Sequence, residues 1–384
     1  MKTDLSDSPI VPGHPEAMIR VVVAGVMAIL SWVVLLPVLV LSGMLLLFAS
    51  CVHAIARLME PTFVSWKALM TFDQGLGWRP RPGLDAHYLA TGDDIFRLVT
   101  DREGWAGTRT MEESAVVVIG DSFASGYGID TGSSFADLNP KVAIKGVGAP
   151  GYSMVQSVLL MEQLAERLTG KLVVWFVCLE NDIEDNLVPA MGSYRSPFVR
   201  PSRTGGWEIV RAHVAPSPWL CPVSDKRLLP HLCVPGPIAD RAFAGCDYLI
   251  GLGAAACGRV GANLVLVTIP DPSQLTVEGR AKLAALAGGL DSWDGDLPDK
   301  RLIASCKRHG VPIIVGKDHL SAVDYKPLEG LHWNSHGHRR MADLLGRVYE
   351  SFSSGGLGSV VSTSRPTPLR EGLAMLDESP AGSR

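Results

Sequence analysis

The chain has 384 residues, of which 47% are hydrophobic, and its 35 basic and 39 acidic side chains give a net charge of −4. These values exclude a disordered chain, a collagen and a simple coiled coil, and they allow one sizeable core with attachments. The pI is near 6.2 and no run of basic residues occurs, so the chain lacks the positive surface that a phosphate backbone requires. Nucleic acid is therefore not an expected partner.

The first predicted element is a membrane-spanning helix over residues 21–56, after an N-terminal tail over residues 1–20. Those 36 residues contain no Asp, Glu, Lys or Arg, and about 20 helical residues cross a hydrocarbon core of about 30 Å. A cleaved signal peptide is the alternative, but its apolar region would be only about 7–15 residues long. We therefore expect a single-pass anchor, through which the membrane is a partner.

The orientation of this anchor is poorly encoded, because basic residues flank the span on both sides at similar range. Cys221 and Cys233 flank a proline-rich stretch and would close a short loop in an oxidising compartment. The alternative is that the cysteines are small buried hydrophobic residues. The cysteine pair favours a globular domain outside the cytoplasm.

After the anchor, residues 61–110 are rich in Gly and Trp and predict a connecting segment of turns and short strands that packs on the main domain. From residue 115 onward, apolar runs of strand length alternate with helical patterns, which is typical of a parallel sheet covered by helices. Strands are predicted at residues 115–119, 142–145, 172–178, 263–269 and 311–315, and helices at 154–168, 238–259, 298–309 and 337–352. We therefore expect a three-layer α/β/α domain over residues 111–352, with a mostly parallel, flavodoxin-like sheet of five strands.

Two segments interrupt or follow this alternation. Residues 189–237 hold nine of the 26 prolines and predict an insertion that is not a sheet element. Insertions of this length commonly form lids or binding loops, or else are disordered. Residues 353–384 lose periodicity and predict a flexible tail.

Ser122 is the first candidate for chemistry, because it follows the first predicted strand in the motif Gly120-Asp-Ser122. Open α/β sheets hold their reactive groups beyond the carboxyl ends of their strands. A helix starting near Ser122 would direct free backbone N–H groups to its surroundings. The alternative is that Asp121 and Ser122 only cap that helix.

His332 is the second candidate, because it precedes the last predicted helix in the motif Glu329-Gly-Leu-His332. A carboxylate three residues earlier can reach Nδ1 of the imidazole and leave Nε2 free to accept a serine proton. The alternative is a solvated polar loop.

Acyl transfer also needs donors for the developing oxyanion. Gly151 follows the second strand and can offer a backbone N–H, and Asn181 follows the third strand and can offer its side-chain amide. Taken singly, each is compatible with a turn or a cap. The order Ser, Gly, Asn and His at successive strand ends is harder to obtain by chance.

This order resembles the SGNH, or GDSL-type, hydrolases. The resemblance covers roughly residues 72–352, with Gly120-Asp-Ser122 as the nucleophile block, Gly151 as the glycine block, Asn181-Asp182 as the asparagine block and Glu329-Gly-Leu-His332 as the Asp-x-x-His block.

The likeness extends to membrane-anchored members, in which Leu76-Gly-Trp78 precedes the domain and Asn181-Asp-Ile-Glu-Asp-Asn186 follows the third strand. Two residues depart from the pattern. Glu180 stands where the asparagine block commonly has Gly, and Glu329 replaces the usual Asp and so lengthens the acid by one methylene.

The resemblance implies a serine esterase that needs no cofactor. Ser122 would attack the acyl carbonyl, His332 would move the proton and Glu329 would orient His332, while the Ser122 N–H, the Gly151 N–H and the Asn181 amide would hold the oxyanion.

The anchored relatives imply O-acetyl groups of cell-surface polysaccharide as the substrate, removed by hydrolysis or transferred to another hydroxyl. The alternatives are a lipid or lysophospholipid esterase and, from another class, a catalytically inactive carbohydrate-binding component of a membrane assembly. Trp207 and Trp219 in the insertion, and Trp333 beside His332, are candidates for stacking on a sugar ring.

Two other motifs, for a dinucleotide site and for a metal site, lack neighbouring residues that would support them. Gly146-Val-Gly-Ala-Pro-Gly151 fits a dinucleotide-binding pattern, but Pro150 lacks the N–H that would face a pyrophosphate. His336 and His338 are spaced so that a helix would not present them together with His332 as metal ligands. Neither a nucleotide cofactor nor a metal is expected.

Overall fold

The computed structural model of the chain describes residues 15–59, 63–64, 66–89, 95–191, 194–211, 228–289, 291–327 and 331–355. Contacts divide the chain into two compact units, Met1–Thr62 and Phe63–Arg384. The described part of the first unit is a helix, and the second unit contains the α/β domain.

In the first unit, residues Pro15–Met59 form helix α1. Its stretch Met18–Val52 has a mean hydropathy of 2.6, and none of it is buried inside the protein. The hydroxyls of Ser31 and Ser50 donate to helix carbonyls four residues earlier, which satisfies them without water. The helix is long and apolar enough to span a membrane, a property that an N-terminal signal sequence can share.

The second unit alternates helices and strands. Its helices are α2 (Trp66–Leu69), α3 (Phe135–Leu138), α4 (Met154–Gln163), α5 (Ala165–Leu168), α6 (Asp182–Asp185), α7 (Leu229–Leu232), α8 (Pro237–Arg259), α9 (Val277–Leu286), α10 (Leu297–His309) and α11 (Ser335–Ser353). Its strands are β1 (Phe63–Val64), β2 (Met70–Asp73), β3 (Gly77–Pro80), β4 (Asp85–Leu89), β5 (Ile95–Val99), β6 (Val116–Gly120), β7 (Ile144–Gly148), β8 (Leu172–Cys178), β9 (Ala190–Met191), β10 (Tyr194–Arg195), β11 (Phe198–Pro201), β12 (Trp207–Val210), β13 (Asn263–Ile269) and β14 (Ile313–Val315). Turns of 3-10 helix lie at Pro272–Leu275, Gly316–Asp318 and Ala322–Asp324.

Five of the described strands form one parallel sheet in the order β14-β13-β8-β6-β7. β8 and β13 have the predicted bounds, because both are apolar runs that are covered on two faces. β6 lies between β7 and β8, so the strand order reverses there. In open α/β sheets, ligands bind outside the carboxyl ends of the strands at such a reversal.

Helices cover both faces of this sheet, and the predicted three-layer α/β/α fold is confirmed. Val117 and Val173 pack into a core with side chains of α4 and α8, whereas Val116 and Val174 pack into a second core with α11. Successive side chains of a strand point to opposite faces. Each buried strand therefore contributes to both cores.

The residues before β6 form a β2–β3 hairpin and a small sheet of β1, β4 and β5. Trp78 of β3 and Tyr88 of β4 are buried in the same core as α4 and α8. The buried Lys145 amine of β7 lies 2.7 Å from the Asp101 carboxylate. This segment therefore packs closely against the sheet domain.

The insertion differs from the prediction, which gave residues 189–237 no sheet elements. β9 pairs with β10 and β11 with β12, so two short antiparallel ladders lie outside the main sheet. Gly205 and Gly206 have φ values of +95° and +75° and make the tight turn between β11 and β12. Proline cannot donate a hydrogen bond to a strand ladder, so this proline-rich segment is compatible only with short strands at an edge.

Some predictions fall outside the described residues. They concern Glu329, Trp219, Cys221 and most of the C-terminal tail, residues 356–384. Helix α11 ends at Ser353, close to the predicted bound.

Candidate active site

Ser122 lies two residues beyond the end of β6, at the reversal of strand order. The segment continues as consecutive turns and not as the predicted helix. Asp121 shapes these turns, since its Oδ1 accepts the N–H of Phe123 at 2.9 Å, and the N–H of Tyr127 donates to the Ser122 carbonyl at 2.9 Å. The hydroxyl is thus held on a tight turn at the carboxyl edge of the sheet.

His332 lies next to Ser122, although the two residues are 210 positions apart in the sequence. Its Nε2 lies 2.8 Å from the Ser122 Oγ, a hydrogen-bond length suitable for proton transfer. Ser122 and His332 are 7% and 8% exposed as whole residues, so the pair is largely shielded from solvent. The structure therefore brings together the predicted nucleophile and its predicted base.

Aromatic rings hold the imidazole of His332 in place. The ring centroids of Tyr127 and Phe123 lie 4.7 Å and 5.2 Å from its own. The His332 carbonyl accepts the N–H of Lys326 at 2.9 Å, which fixes the backbone of the loop. These contacts restrict the ring to the orientation that faces Ser122.

The predicted acid, Glu329, lies outside the described residues, and its role stays a prediction. Asp324 is a buried carboxylate in the same loop, but it is hydrogen-bonded to a different histidine: its Oδ1 lies 2.5 Å from Nδ1 of His336. Its Oδ2 accepts the N–H and hydroxyl of Ser321. Asp324 therefore stabilises the turn that leads to His332.

Gly151, the predicted backbone donor, follows β7 in a turn. The N–H of Tyr152 donates to the Ala149 carbonyl at 3.1 Å, and Gly151 has a φ of +79°. A side chain would be strained in this conformation, so the turn favours glycine.

Asn181, the predicted side-chain donor, begins helix α6. Its Nδ2 donates to Asp182 Oδ1 at 3.2 Å and to Asp185 Oδ2 at 3.1 Å. Both amide hydrogens are therefore directed at carboxylates. Asp185 was not a predicted site residue, although its spacing of four from Asn181 on a helix is a signal for such a pair.

The carboxylates of Asp121, Asp182 and Asp185 lie in an environment that disfavours their ionisation. Burial raises the pKa of Asp121 to about 6 and that of Asp185 to about 7. The pKa of Asp182 is also well above its ordinary value, mainly because of burial and then because of the charge on Asp121. Between about pH 4 and pH 7, Asp185 therefore holds a proton that an ordinary aspartate in water would have released.

The tryptophan predictions need one correction. Trp333 is completely buried, with the rings of Phe123, Phe135 and Phe176 around it, so it is a core residue and cannot stack on a sugar. Trp207 is half-buried on β12 and packs on the core, and its proposed contact with a sugar stays a prediction.

His338 is also a structural residue. It is 1% exposed, stacks on Phe135, and its Nδ1 accepts the N–H of that residue at 3.3 Å. Burial lowers its pKa to about 3, which keeps the ring neutral.

An apolar cavity of about 20 Å³ lies beside this site. Tyr127 and Pro150 line it together with Met70, Tyr88 and Leu98. Tyr127 also contacts His332, and Pro150 precedes Gly151, but Ser122, Gly151 and His332 do not themselves line the cavity.

Comparison with known proteins found no matching family model and no matching curated protein. Solved structures similar to this chain include TesA, with 13% identity over 62% of this chain and 98% of TesA and a TM-score of 0.36. A GDSL-like lipase from Bacteroides thetaiotaomicron has 14% identity over 64% of this chain and 91% of the lipase, with a TM-score of 0.34. LAE5, an alpha/beta hydrolase enzyme from the metagenome of Lake Arreo, has 14% identity over 65% of this chain and 100% of that enzyme, with a TM-score of 0.35. At such identities and scores, the chemistry of the site is inferred from its own side chains.

Proposed function

We propose that this chain is a serine esterase whose nucleophile is Ser122. The observation that carries the proposal is the 2.8 Å hydrogen bond between the Ser122 Oγ and His332 Nε2 at the carboxyl edge of the sheet. A serine hydroxyl is a weak nucleophile unless an adjacent base accepts its proton. His332 is positioned to be that base.

In the proposed reaction, Ser122 Oγ forms a bond to the acyl carbon while its proton passes to His332 Nε2. The C–O bond to the leaving alcohol then breaks, and His332 returns the proton to that alcohol. Water attacks the acyl-enzyme in the same way and releases the acid and the free serine.

The oxyanion would be held by the N–H groups of Ser122 and Gly151 and by the Asn181 amide. Both hydrogens of that amide have carboxylate partners. Asn181 therefore exchanges one carboxylate for the oxyanion. Asp185 is the partner easier to release, because Asp182 is completely buried and also accepts the N–H of Cys178.

For the substrate we propose O-acetyl groups of cell-surface polysaccharide, removed or transferred to another hydroxyl. The likeness of Leu76-Gly-Trp78 and of residues 181–186 to the membrane-anchored SGNH-type members supports this substrate class. A lipid or lysophospholipid ester would carry a longer chain. Preference for longer acyl chains over acetyl would assign the chain to that alternative.

Helix α1 supports membrane anchoring, and we propose that the domain lies outside the cytoplasm, where polysaccharide is accessible. Cys233 is a buried free thiol, so the described residues add nothing to the cysteine argument for an oxidising compartment.

The direct test is hydrolysis of p-nitrophenyl acetate by the full chain in detergent. Ser122→Ala should lower kcat by at least about 10³-fold, while the melting temperature changes little because the hydroxyl contributes little packing. Ser133→Ala is the matched control: it removes an exposed serine hydroxyl from the same loop and should keep most of the activity. Wild-type rates in the Ser122 variant would remove Ser122 from the mechanism. Absence of activity in the wild type on any acyl ester would favour the inactive carbohydrate-binding alternative.

A further inference from the structure

Trp78 contacts the loop that carries the proposed backbone donor. It is completely buried in β3, and its indole N–H donates to the Pro150 carbonyl at 3.1 Å. The two residues are 72 positions apart in the chain.

That carbonyl belongs to the same peptide group as the Gly151 N–H. The peptide is planar, and in the trans form its C=O and N–H point in opposite directions. A hydrogen bond that fixes the direction of the Pro150 oxygen therefore also fixes the direction of the Gly151 N–H, which points away from Trp78.

The turn itself does not fix this direction. Residues 149–152 form a β-turn with Pro150 and Gly151 at its centre, and the positive φ of Gly151 makes it type II. A type I turn has the same ends but a central peptide rotated by about half a turn, and both glycine and proline are compatible with it. Rotation to type I would turn the Gly151 N–H to the opposite side.

A second contact holds the turn against the same residue. The Tyr152 hydroxyl donates to the Trp78 main-chain carbonyl at 2.5 Å, and the two ring centroids are 5.6 Å apart. Trp78 thus holds the residues on both sides of Gly151.

We infer that Trp78 is a positioning residue for the oxyanion hole: its indole N–H selects the type II orientation and so directs the Gly151 N–H at the reacting carbonyl. This inference rests on the proposed esterase function. A donor that is hydrogen-bonded through its own carbonyl is also polarised, which strengthens its N–H.

The test compares Trp78→Phe with Trp175→Phe in the full chain. Phenylalanine removes the indole N–H and keeps an aromatic ring. Trp175 is the matched control, because it is also completely buried but its indole N–H has no hydrogen-bond partner among the described residues. Both variants lose similar packing, and only Trp78→Phe releases the Pro150 carbonyl.

For p-nitrophenyl acetate, Trp78→Phe should lower kcat about 10- to 100-fold with KM within about twofold, because the oxyanion forms only in the transition state. This loss is smaller than the 10²–10³-fold cost of deleting a whole oxyanion donor. The rate of Ser122 phosphonylation by a fluorophosphonate should fall in parallel, since its P=O oxygen uses the same donors. Trp175→Phe should stay within about twofold of the wild type in both measurements.

If Trp78→Phe does not fold, Tyr152→Phe is the second variant. It deletes one hydroxyl and should lower kcat about three- to tenfold at unchanged KM. Equal losses in the Trp78 and Trp175 variants, or a rise in KM alone, would overturn the role of Trp78 and leave the esterase intact. A wild type that is not labelled at Ser122 would instead overturn the proposed function, and with it the reaction that this role serves.

Discussion

At the scale of single residues, the site places the carboxylates of Asp121, Asp182 and Asp185 beside a serine. Burial raises the pKa values of all three, and the charge on Asp121 adds to the upward shifts of Asp182 and Asp185. Such an arrangement costs stability when the groups ionise. The proposed function explains why these carboxylates are present, because Asp121 holds the turn that carries Ser122 and Asp185 holds the Asn181 amide.

The cost at Asp185 predicts a pH-dependent stability. Its pKa rises from an ordinary 3.8 to about 7 on folding, so between these values the folded chain binds more protons than the unfolded chain. The free energy of unfolding therefore falls as pH rises from about 4 to 7. Asp185→Asn should remove this penalty and raise the melting temperature at pH 8 by roughly 2–4 °C, the shift that about 1 kcal/mol produces in a domain of this size.

Melting curves between pH 4 and 8 measure this effect. The gain of Asp185→Asn over the wild type should shrink toward pH 4, whereas Asp343→Asn, a change at an exposed carboxylate of α11, should show no such trend. A gain of the same size at every pH would mean that Asp185 does not titrate in this range.

The sequence predicted the pair Ser122 and His332 although 210 positions separate them, because strand ends and the last helix converge at one edge of a parallel sheet. Trp78 and Asp185 were not predicted as site residues. The role of Trp78 depends on a contact 72 positions away, which no local pattern encodes. Trp333 follows His332, but it turns inward between three aromatic rings, and adjacency in sequence does not reveal that direction.

At the scale of elements, the approach of β7 to the nucleophile turn depends on Gly148. A Cβ added there would overlap the carbonyl oxygens of Gly120 and Asp121, which are backbone atoms that cannot move aside cheaply. β7 extends to Gly148, beyond its predicted end at residue 145. In the sequence, Gly146 and Gly148 suggest a turn, but in the structure they allow the backbone of β7 to approach its neighbours closely.

Gly148→Ala should therefore destabilise the chain by about 1–3 kcal/mol, a cost typical of overpacking, and should lower esterase activity by displacing the turn of Ser122. Denaturant titration and turnover of p-nitrophenyl acetate measure the two effects. Gly258→Ala is the control, since a Cβ at that exposed position of α8 meets nothing within 4 Å. If both variants were equally stable, β7 would not be packed against β6 in this way.

Other elements show where sequence patterns succeed. The limits of a long apolar strand such as β8 can be predicted from the sequence, because both of its faces are buried and the apolar run ends where the strand ends. The hairpins of the insertion were missed since each strand has at most four residues, too short for a period-two pattern, and prolines dominate the composition around them.

At the scale of the whole molecule, the membrane-spanning length of α1 leads to a prediction about the side of the membrane on which the α/β domain lies. Basic residues do not fix its orientation, but a polysaccharide esterase must face its substrate. A phosphatase reporter fused after Phe352 should be active, and a reporter that works only in the cytoplasm should be inactive at the same point. The same reporters fused before Met1 should give the reverse pattern. Cytoplasmic activity after Phe352 would contradict the proposed substrate class.

The measurement that most directly tests the central claim is covalent labelling of the detergent-solubilised chain with a fluorophosphonate, followed by peptide mapping. Ser122 is activated only if His332 removes its proton, so we predict one adduct per chain, located on Ser122 and nearly abolished in His332→Ala. No adduct on Ser122, an adduct on another serine, or unchanged labelling of the His332 variant would contradict the account.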